Sequence, residues 1–391
     1  MRVRRFGIAC WLLTWLVVVA ICEERLRLIH AGSLTGWSEK EETVRELVGD
    51  VFFRQDSTEI HCDRALQYVE RAQVRLSGHV LILDPPKRLR AGEVWYHERT
   101  RDYQAIDTPS LQDTSRTLHA DTLIYREKAD QASAIGRVLI TEKNHRVRLQ
   151  GQRAEYWRLR GYALVIGQPF FTELDSTGVV VMTVSADSME MFEDGRRYQL
   201  SGRVHVRRDS IDAYCGRLTY RRQAEKLYLT VHPRAERGAD VMRGQEMEIS
   251  LRKNEITGIT LVKQSVVISR VDTSQCKSER YDLLTGDRIE VTLQQRQVAA
   301  VIVKGQATSY YHLFEDRVAK GVNKVIGDEM HLFFQNGAMD RIIISSAPGS
   351  SSGVFYPPEK ATALTAELEE RLAQARSTIT EDLKKRRDGK R

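Results

Sequence analysis

A bend written Ala-Asp or Gly-Asp, then a strand of alternating apolar residues that often closes on Tyr, returns about every thirty residues along this chain. Clear copies are Ile60-His61-Cys62-Asp63-Arg64-Ala65-Leu66-Gln67-Tyr68 and Leu118-His119-Ala120-Asp121-Thr122-Leu123-Ile124-Tyr125, with variants at 89–96 and 149–156. Looser copies follow at Ala186-Asp187, 212–220, 244–249, Gly286-Asp287 and Gly327-Asp328. Between them stand Gly49-Asp50-Val51, Gly78-His79-Val80, Gly136-Arg137-Val138 and Gly202-Arg203-Val204. Self-similarity at this period predicts a stack of like units, each burying its apolar face only against its neighbours.

The units are strands. Val74-x-Leu76, Val138-x-Ile140, Val147-x-Leu149, Val204-x-Val206, Ile259-x-Leu261, Val291-x-Leu293 and Val301-x-Val303 alternate apolar and polar residues, the pattern of a sheet with one face on a core and the other in water. Prolines number only eight, and helical periodicity is nearly absent from 26 to 345. The Gly of each Gly-x-Val predicts a sharp bend or bulge. The Asp of Ala-Asp predicts a bend capped by its own short carboxylate, and the closing Tyr gives a ring to the interior and a hydroxyl to the rim. Two such sheets facing each other place Val51, Phe53, Val80, Ile82, Val138, Ile140, Val204 and Val206 on one inner face. Closed sheets make these a core. Sheets splayed along one seam make them the wall of an apolar trough.

The ends differ from the body. Arg2, Arg4 and Arg5 precede an apolar run from Phe6 to Cys22, the signature of an export leader, to be read as a cleaved signal peptide or a retained membrane anchor. Lipidation at Cys22 ranks below both because Ile21 is bulky. Of the formal +7, the leader and the stretch 376–391 carry the whole excess, so the body is neutral. A pI near 9.1 therefore does not indicate nucleic acid, whose footprint is a basic face along the fold. Beyond the leader, Cys62, Cys215 and Cys276 show no CxxC spacing, and their pairing stays open. Residues 359–386 space Ala361, Leu364, Leu368, Leu372, Ala375, Ile379 and Leu383 as one amphipathic helix. Such a helix covers a sheet edge, meets another helix, lies on anionic headgroups through Lys384–Arg387, or frays in solvent.

Catalytic signals are missing. The sequence has no HExxH, GxSxG or Walker-type loop, and His61, His119, His205 and His331 fall at strand or bend positions suited to polar rim residues. Asp63, Asp121, Asp187, Asp287 and Asp328 recur at one place in the repeat, a ladder of bends rather than an unequal acid/base pair. No enzyme, metal site or cofactor is expected.

In these motifs the chain resembles the OstA-like (organic-solvent-tolerance, LptA-like) family of lipopolysaccharide-transport proteins. The resemblance rests on Leu28-Ile29-His30-Ala31-Gly32-Ser33-Leu34, Gly49-Asp50-Val51-Phe52-Phe53, the bends at Asp63 and Asp121, Asn323-Lys324-Val325-Ile326-Gly327-Asp328-Glu329-Met330 and Gly353-Val354-Phe355-Tyr356-Pro357-Pro358. It spans about Leu26 to Pro358 and implies an all-β, elongated, twisted β-jellyroll whose interior carries acyl chains. It also implies open ends that pair edge to edge with other OstA-like proteins, lipopolysaccharide or another lipid as ligand, and inner- or outer-membrane transport partners in the periplasm. The chain departs from the family in its length, about two modules, and in its C-terminal helix. The expected organisation is leader 1–22, jellyroll modules 26–168 and 169–345, linker 346–358 and charged helical tail 359–391. Rival readings are an exported carbohydrate-active β-helix enzyme, which needs an acid cluster breaking the repeat, and a structural β scaffold with a filled interior.

Overall fold

The computed structural model describes residues 25–39, 41–114, 116–142, 146–252, 255–271, 280–315, 318–335, 338–360 and 366–373. The leader and the charged end of the tail lie outside them, as does Cys276. Among the described residues no helix is long and apolar enough to cross a membrane.

The long strands each serve two sheets. In Gln131–Glu142 the half before Gly136 pairs with Thr122–Arg126, and the half after it pairs with Arg116–His119. Arg197–Arg208 divides in the same way at Gly202, between Ser188–Phe192 and Val180–Ser185. One half of every such strand joins sheet I and the other joins sheet II, so the antiparallel ladder folds into a two-layered jellyroll. Sheet I opens with Ser33–Glu39 and closes with Ala338–Ser345. Sheet II opens with Arg27–His30 and closes with Ser352–Tyr356. The ladder continues through residue 169, because Phe170–Leu174 pairs back to 147–150 and onward to Val180–Ser185.

The corner between the layers explains both repeats at once. Gly136 has φ +74° and Arg137 φ +41°, a pair of left-handed residues that only glycine opens cheaply, and the register slips between Ile135 and Val138 as the strand turns. Asp121 was expected to cap its own backbone. Instead its N–H donates to the Gly136 carbonyl (2.9 Å), and its carboxylate lies where a Cβ on Gly136 would stand. That carboxylate also accepts from Arg137 Nε at 2.7 Å. Asp187 holds the Gly202-Arg203 corner in the same manner, with Arg203 Nε at 2.8 Å, and Asp63 meets His79 Nδ1 at 2.7 Å. Stacking puts one repeat's bend on its neighbour's corner, so the short carboxylate serves the adjacent strand.

The interior falls into two main clusters. The first gathers Val51, Phe53, Ile60, Leu76, Val80, Leu89 and Val94, and the second Val204, Leu218, Leu229, Met247, Leu261, Ile289 and Met330, with half-buried Leu149 packed against both. Cys62 sits in the first, its thiol pushed up to about 12 by burial, and Cys215 in the second. A third, smaller cluster joins sheet II to helix α1 (366–373), where Leu368 and Leu372 are buried. The stretch 346–358, expected as a linker, contains the strand Ser352–Tyr356, because Gly353-Val354-Phe355-Tyr356 finds a free edge on Val318–Gln335.

Candidate functional site

Where the two main clusters meet, the layers do not close. A cavity of about 940 Å³ lies between them, walled by strands from about residue 103 to 227. Side-chain size along one ladder row explains it. On the inner face of sheet I, Leu76, Val94, Ala105 and Leu123 lead to Ala134 and Ala154, and the row resumes with Val165, Met189, Leu200 and Leu218. In the next row Ala132 and Ala163 flank Tyr156. Four alanines thus form one contiguous block on sheet I, facing a row of sheet II made of Leu111, Leu118, Ile140, Leu149, Phe171 and Val184. Interiors are otherwise packed to crystal density, so a block of methyl groups opposite large side chains leaves a space nothing else fills.

The wall is apolar and adaptable. Met182, Met189 and Met191 line it, and their unbranched thioethers adjust to irregular guests. Tyr156, Tyr198 and Tyr220 present rings, and burial holds their phenols above the ordinary tyrosine value, as expected in a low-dielectric lining.

Charge is kept to the rims, where the free strand ends of the two sheets approach. Arg158 Nε meets Asp130 at 2.8 Å, Arg208 meets Glu173 at 3.2 Å and Arg116 meets Glu142 at 3.3 Å. Ties cross from sheet to sheet on either side. Towards the N-terminus the Tyr96 hydroxyl donates to Gln55 (2.8 Å) and Lys87 Nζ donates to the Tyr125 hydroxyl (3.2 Å). Towards the C-terminus Arg296 pairs with Asp209 (3.4 Å), and the Arg237 guanidinium donates to the Arg296 carbonyl (2.6 Å). The cavity occupies the stretch of seam between these lacings.

All eight residues expected to line a trough are on the inner face of sheet II, and Phe53, Ile82, Ile140 and Val206 belong to one continuous row. Ile140 lines the cavity. Val51, Phe53, Val80, Ile82 and Val138 are packed in the first cluster, Val204 and Val206 in the second. Alternation registers apolarity, not volume, so it does not single out the alanines; Ala132-x-Ala134 in a row of leucines and valines is the available signal. Two of the histidines have ordinary rim partners: His205 stacks on Tyr214 and meets Asp212 at 2.6 Å, and His331 meets Glu329 at 2.7 Å. Among the described residues no three His, Cys, Asp or Glu side chains are grouped to hold a metal ion.

Residues 23–156 match the family described as OstA-like protein. No curated protein matches the chain. Among solved structures, LptH of Pseudomonas aeruginosa, the LptA-homologous periplasmic component of the lipopolysaccharide transport device, is similar over 36% of this chain and 95% of its own, at 14% identity and a TM-score of 0.26. The family match covers the first third of the chain, which holds the motifs at 28–34, 49–53, 60–63 and 118–125; those at 323–330 and 353–358 lie beyond it.

Proposed function

We propose that this chain binds, and passes along its length, the acyl chains of lipopolysaccharide or another lipid in the periplasm, as a protein of outer-membrane biogenesis. The observation that carries the reading is the alanine-lined cavity of about 940 Å³ between the sheets. Each methylene moved from water into such a space contributes about 0.8 kcal/mol. A stack of like strands offers such contacts in succession, and the paired charges at the rims stay where a polar headgroup would meet water. The OstA-like segment supports the same ligand class. An export leader supports the periplasm, with or without a retained anchor.

The sheet edges support partners. Ile29 and Leu34 at the first edges and Ile343, Val354 and Phe355 at the last are 40–60% exposed, a liability for large apolar side chains on edge strands unless another chain covers them. Other OstA-like proteins, or inner- or outer-membrane transport partners, would add their strands there. On this reading the segments 26–168 and 169–345 act as two modules of one conduit, with the cavity at their join.

Photo-crosslinking residues placed at 134, 140 and 163, and as controls at 53 and 82, test the reading in cells that make the full chain. Lipid adducts concentrated at the first three, with far fewer at the controls in the closed stretch, are expected. A lipid-free protein with equal labelling at all five would leave a structural scaffold as the better account.

A further inference from the structure

The third cluster lies on the wrong side of its sheet. Leu284 packs into the interior between the layers, whereas its neighbour Leu283 packs into the third cluster, so Leu283 points outward from sheet II. Its row continues through Ile268, Tyr310 and Lys324, all on that outer face. At the other end of sheet II the outer rows are mixed, Arg54-Glu59-Leu83-Arg88 and Phe52-His61-Leu81-Arg90, and no apolar side chain there is fully buried. The unbroken apolar run Ile268-Leu283-Tyr310 needs a cover, and α1 supplies it: Leu368 and Leu372 close over Ile268, Leu283, Tyr310 and Val322, leaving Tyr310 with no exposed surface.

The helix is also fastened by charge. The Tyr310 hydroxyl donates to Glu367 at 2.6 Å, Lys324 Nζ donates to both oxygens of the same carboxylate at 2.9 and 3.0 Å, and Arg371 lies over the Tyr310 ring at 5.6 Å. The strand that precedes the helix, Ser352–Tyr356, is held far more lightly. It pairs along one side only, with 322–326, and its first four residues are exposed. Its one side chain in a cluster is Tyr356, and that cluster is the one α1 closes. The Tyr356 carbonyl rests against Gly321, at φ +142°, where any Cβ would collide with it.

We propose that α1 is a clip that seats the terminal strand Ser352–Tyr356 on sheet II, and so sets the length of edge that sheet offers to a partner. Clipped, the sheet ends on a strand of five residues. Released, it ends on the half of Val318–Gln335 that precedes Gly327, a longer edge with the slots at 322–326 vacant for a strand from another chain. The clip itself stands on geometry alone; its effect on association rests on the reading of the edges as partner sites given above.

The test is amide hydrogen exchange on the full chain carrying Leu368→Asp and Leu372→Asp, with Tyr310→Phe as a milder second variant that keeps the ring and removes the bond to Glu367. Exchange in 352–356 and 322–326 is expected to quicken at least about tenfold, equivalent to ~1.4 kcal/mol, in the double variant and less in Y310F, while 188–192 and 197–201 keep their protection. Unchanged protection at 352–356 in the double variant overturns the clip. Sedimentation velocity on the same samples reads the edge separately. Faster exchange with stronger self-association supports clip and edge together; faster exchange with an unchanged association state supports the clip and removes its control of the edge.

Discussion

Two stretches of the same ladder row behave differently. At Leu76 and Val94, neither with exposed surface, large side chains from the two sheets meet and the layers close; at Ala134 and Ala154 the backbone pairing is just as regular, yet the layers enclose a space. Strand order, corners and Asp clamps are common to both. The difference is a few methylenes per position, so in this architecture the fold and the binding volume are set by separate choices: alternation builds the sheet, and residue size within one row decides whether it is filled.

The widest separation between the regions is expected from truncation. Leu76→Ala in the closed stretch should cost about 2–5 kcal/mol, whereas Ile140→Ala, on a wall that already faces a void, should fall near or below the bottom of that range. Urea unfolding of both variants measures it, and equal losses would mean the cavity is collapsed in solution. Next comes enlargement. Ala105→Leu, in the filled part of the row, should cost about 1–3 kcal/mol, while Ala134→Leu should be near neutral because it grows into the cavity. Thermal melts of the pair check the sign of the difference. Both regions should respond alike at the corners: Gly136→Ala and Gly78→Ala each force a Cβ into a positive-φ site occupied by a neighbouring carboxylate, at about 1–3 kcal/mol. Unequal costs there would show that the corners, too, distinguish the regions.

The smallest effect is electrostatic and concerns the helix. The Tyr310 hydroxyl, then Lys324, hold the Glu367 carboxyl below its ordinary value of 4.5. A depressed carboxyl contributes stability above that ordinary value and loses it as pH falls through the depressed one. Exchange protection of 366–373 should therefore be constant near neutrality and decline as the medium is acidified below 4.5, and Glu367→Gln should abolish the decline. Since the carboxylate is close to solvent, salt should weaken the effect.

How far the sequence discloses this molecule follows from what each pattern encodes. The thirty-residue repeat with its Gly-x-Val units reports corners and alternation, and these suffice for the two-layered stack and its inner face from Val51 to Val206. They do not report volume, which is why Ile140 could be named and Ala132, Ala134, Ala154 and Ala163 could not. The covered outer face left a mark that alternation overlooks. Val266-Val267-Ile268, Leu283-Leu284 and Tyr310-Tyr311 are apolar at consecutive positions, as strands buried on both sides must be. Composition misled at Ser352–Tyr356, where serines and glycine read as linker but the backbone found an edge to pair with.

On the proposed function, the alanine block holds lipid. Mass spectrometry of lipid retained by the purified chain, wild type against a variant with Ala134, Ala154 and Ala163 all changed to Leu, addresses it most directly. The variant is expected to melt at or above the wild-type temperature and to retain little or no lipid. A variant that keeps the wild-type complement of lipid while remaining folded would contradict it.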